Sequence, residues 1–83
     1  MMSLAQLDRL RSISESIRRS KYHPNQKIVE AMKPYGPDDI NKATDYIQKL
    51  IDENNGWEAH QIIGAYKSGW EVGAIKKIIE LDI

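Results

Sequence analysis

The stretch from residue 37 to residue 54 constrains the fold most strongly, because its pattern fits only an α-helix. Its apolar residues recur at spacings of three and four positions, at Ile40, Ala43, Ile47 and Leu50. Pro34, Gly36 and Pro37 cannot continue a helix, so we expect this one to begin at about Pro37. Asn55 or Gly56 is suited to closing it in the left-handed conformation.

The segment 3–20 also has helical spacing. Ser3 and Gln6 have the form of a capping box at its start. Its apolar residues are Leu4, Leu7, Leu10, Ile13 and Ile17. The three-residue steps make this stripe drift round the helix. The drift suits a helix that touches several neighbours, or one whose first turn contacts a partner.

Three shorter segments complete the helical pattern, at 24–33, 57–67 and 70–81. The last two each follow the phrase Gly-Trp-Glu, which occurs at residues 56–58 and 69–71. We interpret it as a helix start in which glycine closes one helix and tryptophan anchors the next. The chain has no phenylalanine, so Trp57 and Trp70 are both expected to be mostly buried. The alternative is that one of them lies partly exposed in a groove between the last helices and anchors a partner.

The sequence therefore predicts a single all-α domain, residues 1–83, built as a compact bundle of about five short helices. The helix at 37–54 is expected at the centre, and the two tryptophan-headed helices close one side. The first helix is expected to be the most independent element. No stretch alternates apolar and polar residues as a half-buried strand would.

Composition narrows the function further. No apolar run approaches the ~18 residues that a membrane helix needs, and the chain has no cysteine. These features fit a cytoplasmic protein with no membrane partner. Residues 1–35 carry seven basic and three acidic groups, and residues 36–83 carry five and nine. The basic first part could face an acidic partner, or the two halves could neutralise each other.

Chemistry at a catalytic or metal centre is not predicted. His23 and His60 are far apart in sequence, and neither has a second ligand at metal spacing. Asp38-Asp39 and Asp52-Glu53 lie at helix ends, where they complement the helix dipole or are simply solvated. We therefore expect no enzymatic activity, no cofactor and no metal.

The segment 57–81, through its run from Ile62 to Ile79, resembles the first two helices of helix-turn-helix domains of the resolvase and transposase type. The positions that carry the resemblance are Ala65, Tyr66, Gly69, Val72, Ala74 and Ile75. The resemblance covers about a quarter of the chain and implies binding to DNA. In that family the recognition helix comes third, and the sequence ends where that helix would begin. The segment present offers Lys76 and Lys77 as cations.

Binding to another protein is the function that the sequence favours, with the domain acting as a small regulator or inhibitor. The alternative is a nucleic-acid-binding regulator that acts as a dimer. Self-association through the helix at 3–20 is also expected to be possible. The residues predicted to bind a partner are Arg11, Arg18, Arg19, Lys21, Trp70, Lys76 and Lys77.

Overall fold

The computed structural model describes residues 1–22, 30, 33–66 and 71–82. These residues form four α-helices, and none of them lies in a β-strand, which confirms the all-α prediction. The helices are α1 (Leu4–Tyr22), α2 (Pro37–Glu53), α3 (Gly56–Ala65) and α4 (Glu71–Leu81). Their ends differ from the predicted ones by two residues at most. The fifth predicted helix, 24–33, lies outside the described residues apart from its positions 30 and 33.

The core is built around the apolar stripe of α1. Leu10, Ile13 and Ile17 are fully buried, and α1 contacts each of the other three helices. The prediction that the first helix is the most independent element is therefore wrong. Its drifting stripe contacts several neighbours inside the domain. Leu4 lies off this stripe and is 80 % exposed.

The other helices bury one face each against this stripe. Burial at helical spacing is the reason these segments are helices, since a short helix gains most of its stability from packing. The buried apolar residues of α2 to α4 are Ala43, Tyr46, Ile47, Leu50, Ala59, Ile62, Val72, Ala74, Ile75 and Ile78.

The start of α1 is tied to the turn between α2 and α3. The predicted capping box is confirmed, since the Ser3 N–H donates to Gln6 Oε1 and the Gln6 N–H donates to Ser3 Oγ. Gln6 Nε2 also donates to the carbonyl of Gly56 at 3.2 Å. A Cβ at Gly56 would lie 2.7 Å from the Met1 carbonyl oxygen. Glycine at this position lets the two backbones approach closely.

The turn itself corrects the prediction for the end of α2. The left-handed residue is Asn54, with φ 54° and ψ 41°, not Asn55 or Gly56. Asparagine tolerates this conformation better than most residues. Asn55 instead caps α3, because its side chain accepts the Glu58 N–H at 3.1 Å. Gly56 is the first residue of α3 and does not close the preceding helix.

Trp57 is 69 % exposed, so the prediction that it is buried is wrong. The core-facing side of α3 is defined by Ala59 and Ile62, both fully buried, with Ile63 and Tyr66 half-buried beside them. At about 100° per residue, Trp57 falls on the opposite side of the helix. Trp70 lies outside the described residues.

A polar contact between Tyr46 and Glu58 joins α2 to α3. The Tyr46 hydroxyl donates to Glu58 Oε2, and the side chain of Tyr46 is only 7 % exposed. Burial and the Glu58 carboxylate both raise the pKa of Tyr46 above its ordinary value. The folded state therefore holds this proton more tightly than the unfolded state does.

Stability conferred by this raised pKa is fully present below the unfolded pKa of about 10 and is lost as pH rises above it. We expect the free energy of unfolding of the natural protein to fall more steeply above pH ~10 than that of Tyr46→Phe. At pH 7 the variant is less stable by about 1 kcal/mol, because one hydrogen bond is lost. Urea unfolding followed by circular dichroism from pH 7 to pH 11 measures both effects.

Tyr35→Phe is the matched control for this experiment. Tyr35 is half-buried against the core, and its hydroxyl forms no hydrogen bond among the described residues. Its pH profile should follow that of the natural protein. If Tyr46→Phe also follows that profile, the Tyr46–Glu58 contact does not govern stability at high pH.

Candidate binding surfaces on α1 and α3

A groove of about 460 Å³ runs between α1 and the end of α3. We call it the α1 groove. Its lining residues are Arg11, Ser12, Glu15, Ser16, Arg19 and Tyr66. Two of the residues predicted to bind a partner, Arg11 and Arg19, are therefore brought together with an aromatic residue more than forty positions away in sequence.

Helical periodicity places the charged residues of this groove. Arg11, Glu15 and Arg19 are separated by four positions each, so they follow one another along the same side of α1. That side faces away from the buried stripe of Leu10, Ile13 and Ile17, and all three charged side chains are exposed. Burial of the stripe thus fixes the direction in which the arginines point.

A chain of hydroxyl hydrogen bonds forms the floor of the α1 groove. The Tyr66 hydroxyl donates to Ser16 Oγ at 2.8 Å, and the Ser16 hydroxyl donates to Glu71 Oε1 at 3.2 Å. Glu71 is the first residue of α4, where a carboxylate also complements the helix dipole. The floor therefore links α1, α3 and α4 and holds Tyr66 in place beside the arginines.

The two arginines at the rim are available to a ligand. No acidic side chain in the described ranges forms an ion pair with Arg11 or Arg19. The ion pair that these ranges do contain joins Lys77 Nζ to Glu80 Oε2 on α4, at 3.8 Å. Glu15 lies between the two arginines along the helix. A guanidinium group binds a carboxylate or phosphate with two parallel hydrogen bonds. The groove can therefore hold two anionic groups with a neutral or cationic group between them.

The remaining predicted binding residues are spread over the molecule. Arg18 is exposed but does not line the α1 groove, and Lys21 belongs to α1 with its side chain outside the description. Lys76 is exposed on α4, whereas Lys77 is half-buried. Trp70 and His23 lie outside the described residues. The predicted set is thus not one surface.

A second surface, which the sequence reasoning missed, is the outward side of α3. It consists of Trp57, His60, Gln61 and Gly64, and we call it the α3 face. These four residues span an arc of about 100° on the helix and include no Asp, Glu, Lys or Arg. Trp57, His60 and Gly64 are exposed, and Gln61 is half-buried. The position of Trp57 opposite the apolar spacing 59, 62, 63 and 66 was the available signal.

Two further exposed apolar side chains lie at the same end of the bundle as Trp57. They are Met1, which is wholly exposed, and Leu4. The Met1 backbone contacts Gly56, directly before Trp57, and Leu4 is two positions from Gln6, which also contacts Gly56. Tryptophan is enriched at the energetically dominant positions of interaction surfaces.

A smaller depression of about 230 Å³ lies at α2, lined by Lys42, Asp45, Tyr46, Lys49 and Asp82. Lys49 Nζ lies 5.4 Å from the centre of the Tyr46 ring, a cation–π distance. The pKa of Tyr46 is raised above its ordinary value, which already lies well above neutral pH, so its hydroxyl is not poised to act as a base. In the described ranges, no three His, Asp or Glu residues are grouped as a metal site would require.

Every helix in the described part of the chain is too short or too polar to cross a bilayer. Comparison with known proteins gives no match to this chain among family models, curated proteins or solved structures. The case for a function accordingly depends on the α1 groove and the α3 face.

Proposed function

We propose that this protein is a small interaction module that binds an acidic segment of another protein in the α1 groove. The observation that carries the proposal is the position of Arg11 and Arg19 on the rim of a concave site, without an ion-pair partner in the described ranges. Arginine and tyrosine are enriched where proteins bind one another. A domain of this kind acts by occupying a surface of its partner, as a regulator or inhibitor does.

The spacing of the rim charges specifies the partner segment. Arg11 and Arg19 are eight residues apart, so their attachment points lie about 12 Å apart along the helix. A segment that presents two carboxylates at this distance satisfies both arginines. Glu15 between them favours a basic or hydrogen-bond-donating residue at the centre of the same segment. Tyr66 supplies a rigid surface on which an apolar side chain of the segment can pack.

The double substitution Arg11→Glu/Arg19→Glu should abolish this binding, because both contacts become repulsive. Both side chains are exposed, so the variant should stay folded, with a loss of about 0.3 kcal/mol for each new like-charge pair with Glu15. The measurement is a pull-down from the native host at low salt, with the natural protein and the variant as parallel baits. We expect one protein to be recovered in near-stoichiometric amount by the natural bait only.

Arg9→Glu/Arg18→Glu is the matched control, since Arg9 and Arg18 are exposed on the same helix but do not line the groove. It makes the same charge change without touching the rim, so the partner should still be recovered. Equal loss of the partner with this control would mean that the total charge of α1, and not the groove, determines binding. Full recovery with Arg11→Glu/Arg19→Glu would refute the proposal.

The second candidate is nucleic-acid binding, in line with the resemblance of residues 57–81 to helix-turn-helix domains. The observation that favours it is the exposure of four arginines on α1, namely Arg9, Arg11, Arg18 and Arg19. Phosphate contacts need several unpaired cations. Lys76 on α4 is an additional exposed cation, so α1 is the stronger electrostatic surface of the two.

Binding to nonspecific duplex DNA separates this candidate from the first. If four arginines contact phosphates, the logarithm of the binding constant should fall with the logarithm of salt concentration with a slope of about −3.6. Fluorescence anisotropy of a labelled duplex between 20 and 200 mM salt, roughly the range over which this dependence is strong, measures it. Arg18→Glu, outside the groove, should weaken DNA binding but leave the protein partner bound. Absence of binding at low salt eliminates this candidate.

A further inference from the structure

Gly64 on the α3 face has no structural role among the described residues. A Cβ at this position would find no atom within 4 Å, and the backbone φ is not positive. Glycine within a helix is less favourable than alanine. The fold would therefore accept a side chain here, yet the position leaves a gap on an exposed surface.

Trp57 and Gly64 are complementary in shape and lie seven residues apart on the same side of α3. The distance between them along the helix axis is about 10 Å, two helical turns. When two α3 helices pack antiparallel about a two-fold axis between residues 60 and 61, Trp57 of one copy lies over Gly64 of the other. The same operation places Trp57 of the second copy over Gly64 of the first. The side chain of Trp57 therefore packs into the gap at Gly64 twice in the same dimer contact.

The polar residues of the α3 face fit the same arrangement. In this register the two His60 side chains meet on one side of the axis and the two Gln61 side chains meet on the other. An amide and an imidazole can each donate and accept a hydrogen bond. The α3 face carries no formally charged residue, so two identical copies meet without like-charge repulsion.

We propose that the α3 face is a self-association surface and that its occupant is the α3 face of a second copy of this chain. The α3 face offers four residues of a ten-residue helix, far fewer than the roughly 20–30 residues per side of a stable interface. The dimer is therefore weak and reversible, and forms at high micromolar concentration. The proposed surface lies on α3, whereas the apolar stripe of α1 is used inside the domain.

Sedimentation equilibrium between 10 µM and 1 mM, roughly the range of a weak reversible contact, tests this proposal. The mean mass of the natural protein should rise from the monomer mass of 9.5 kDa toward twice that value. Trp57→Ala should remain monomeric throughout, because the large side chain that packs over Gly64 is removed. Gly64→Leu should weaken association at least tenfold, because the leucine side chain fills the gap that receives Trp57. Trp57→Ala should keep the thermal midpoint of the natural protein and Gly64→Leu should keep or raise it, since both positions are exposed and leucine is the better helix former.

Gly36→Leu is the matched control, because it also adds a leucine side chain at an exposed glycine with no atom within 4 Å, outside the α3 face. This variant should dimerise like the natural protein, and so should Arg11→Glu/Arg19→Glu. Gln61→Glu and Gln61→Lys should each be monomeric alone, and an equimolar mixture should associate again, since the two charges meet near the axis. A natural protein that stays monomeric at 1 mM, or a dimer that survives both Trp57→Ala and Gly64→Leu, would overturn the proposal.

Discussion

The structure depends on the burial of one apolar stripe of α1 against the three other helices. A chain of this size removes only about 60 % of its unfolded surface from water, so every helix has to bury its apolar side in the core. Leu10, Ile13 and Ile17 are fully buried. Their burial leaves Arg11, Glu15 and Arg19 on the outward side of the same helix. The contact that holds the domain together thus also builds the rim of the α1 groove.

The turn between α2 and α3 shows how few residues position the second surface. Asn54 closes α2 in the left-handed conformation, and its side chain accepts the Met2 N–H at 2.8 Å. Asn55 caps α3, and Gly56 allows the chain at Met1 to pass close by. Three consecutive residues therefore end one helix, start the next and anchor the N-terminal segment. Trp57 follows directly, so its outward direction is set by this turn.

Helical periodicity was sufficient to predict the described helices, because each one has its own apolar face and its own boundary residues. The same periodicity also predicts the outward orientation of Trp57, because residue 57 lies on the side of the helix opposite Ala59 and Ile62. The expectation of burial arose from composition, since a chain without phenylalanine should use its tryptophans in the core. Isoleucine and leucine fill the core instead. The α1 groove could not be predicted in this way, because it needs Tyr66 beside Ser16 and no local pattern specifies that contact.

The α1 groove carries charged residues and the α3 face carries none. This difference follows from which side of α3 contacts α1. Tyr66 directly follows α3 and continues the side of the helix that meets α1, whereas Trp57 and Gly64 lie on the other side. Ligands of one surface therefore need not exclude ligands of the other. Contacts to Arg11 and Arg19 are screened by salt, while packing between uncharged α3 faces is not. An increase in ionic strength should accordingly weaken binding in the groove and leave self-association intact. The two proposed contacts are therefore separable within one protein.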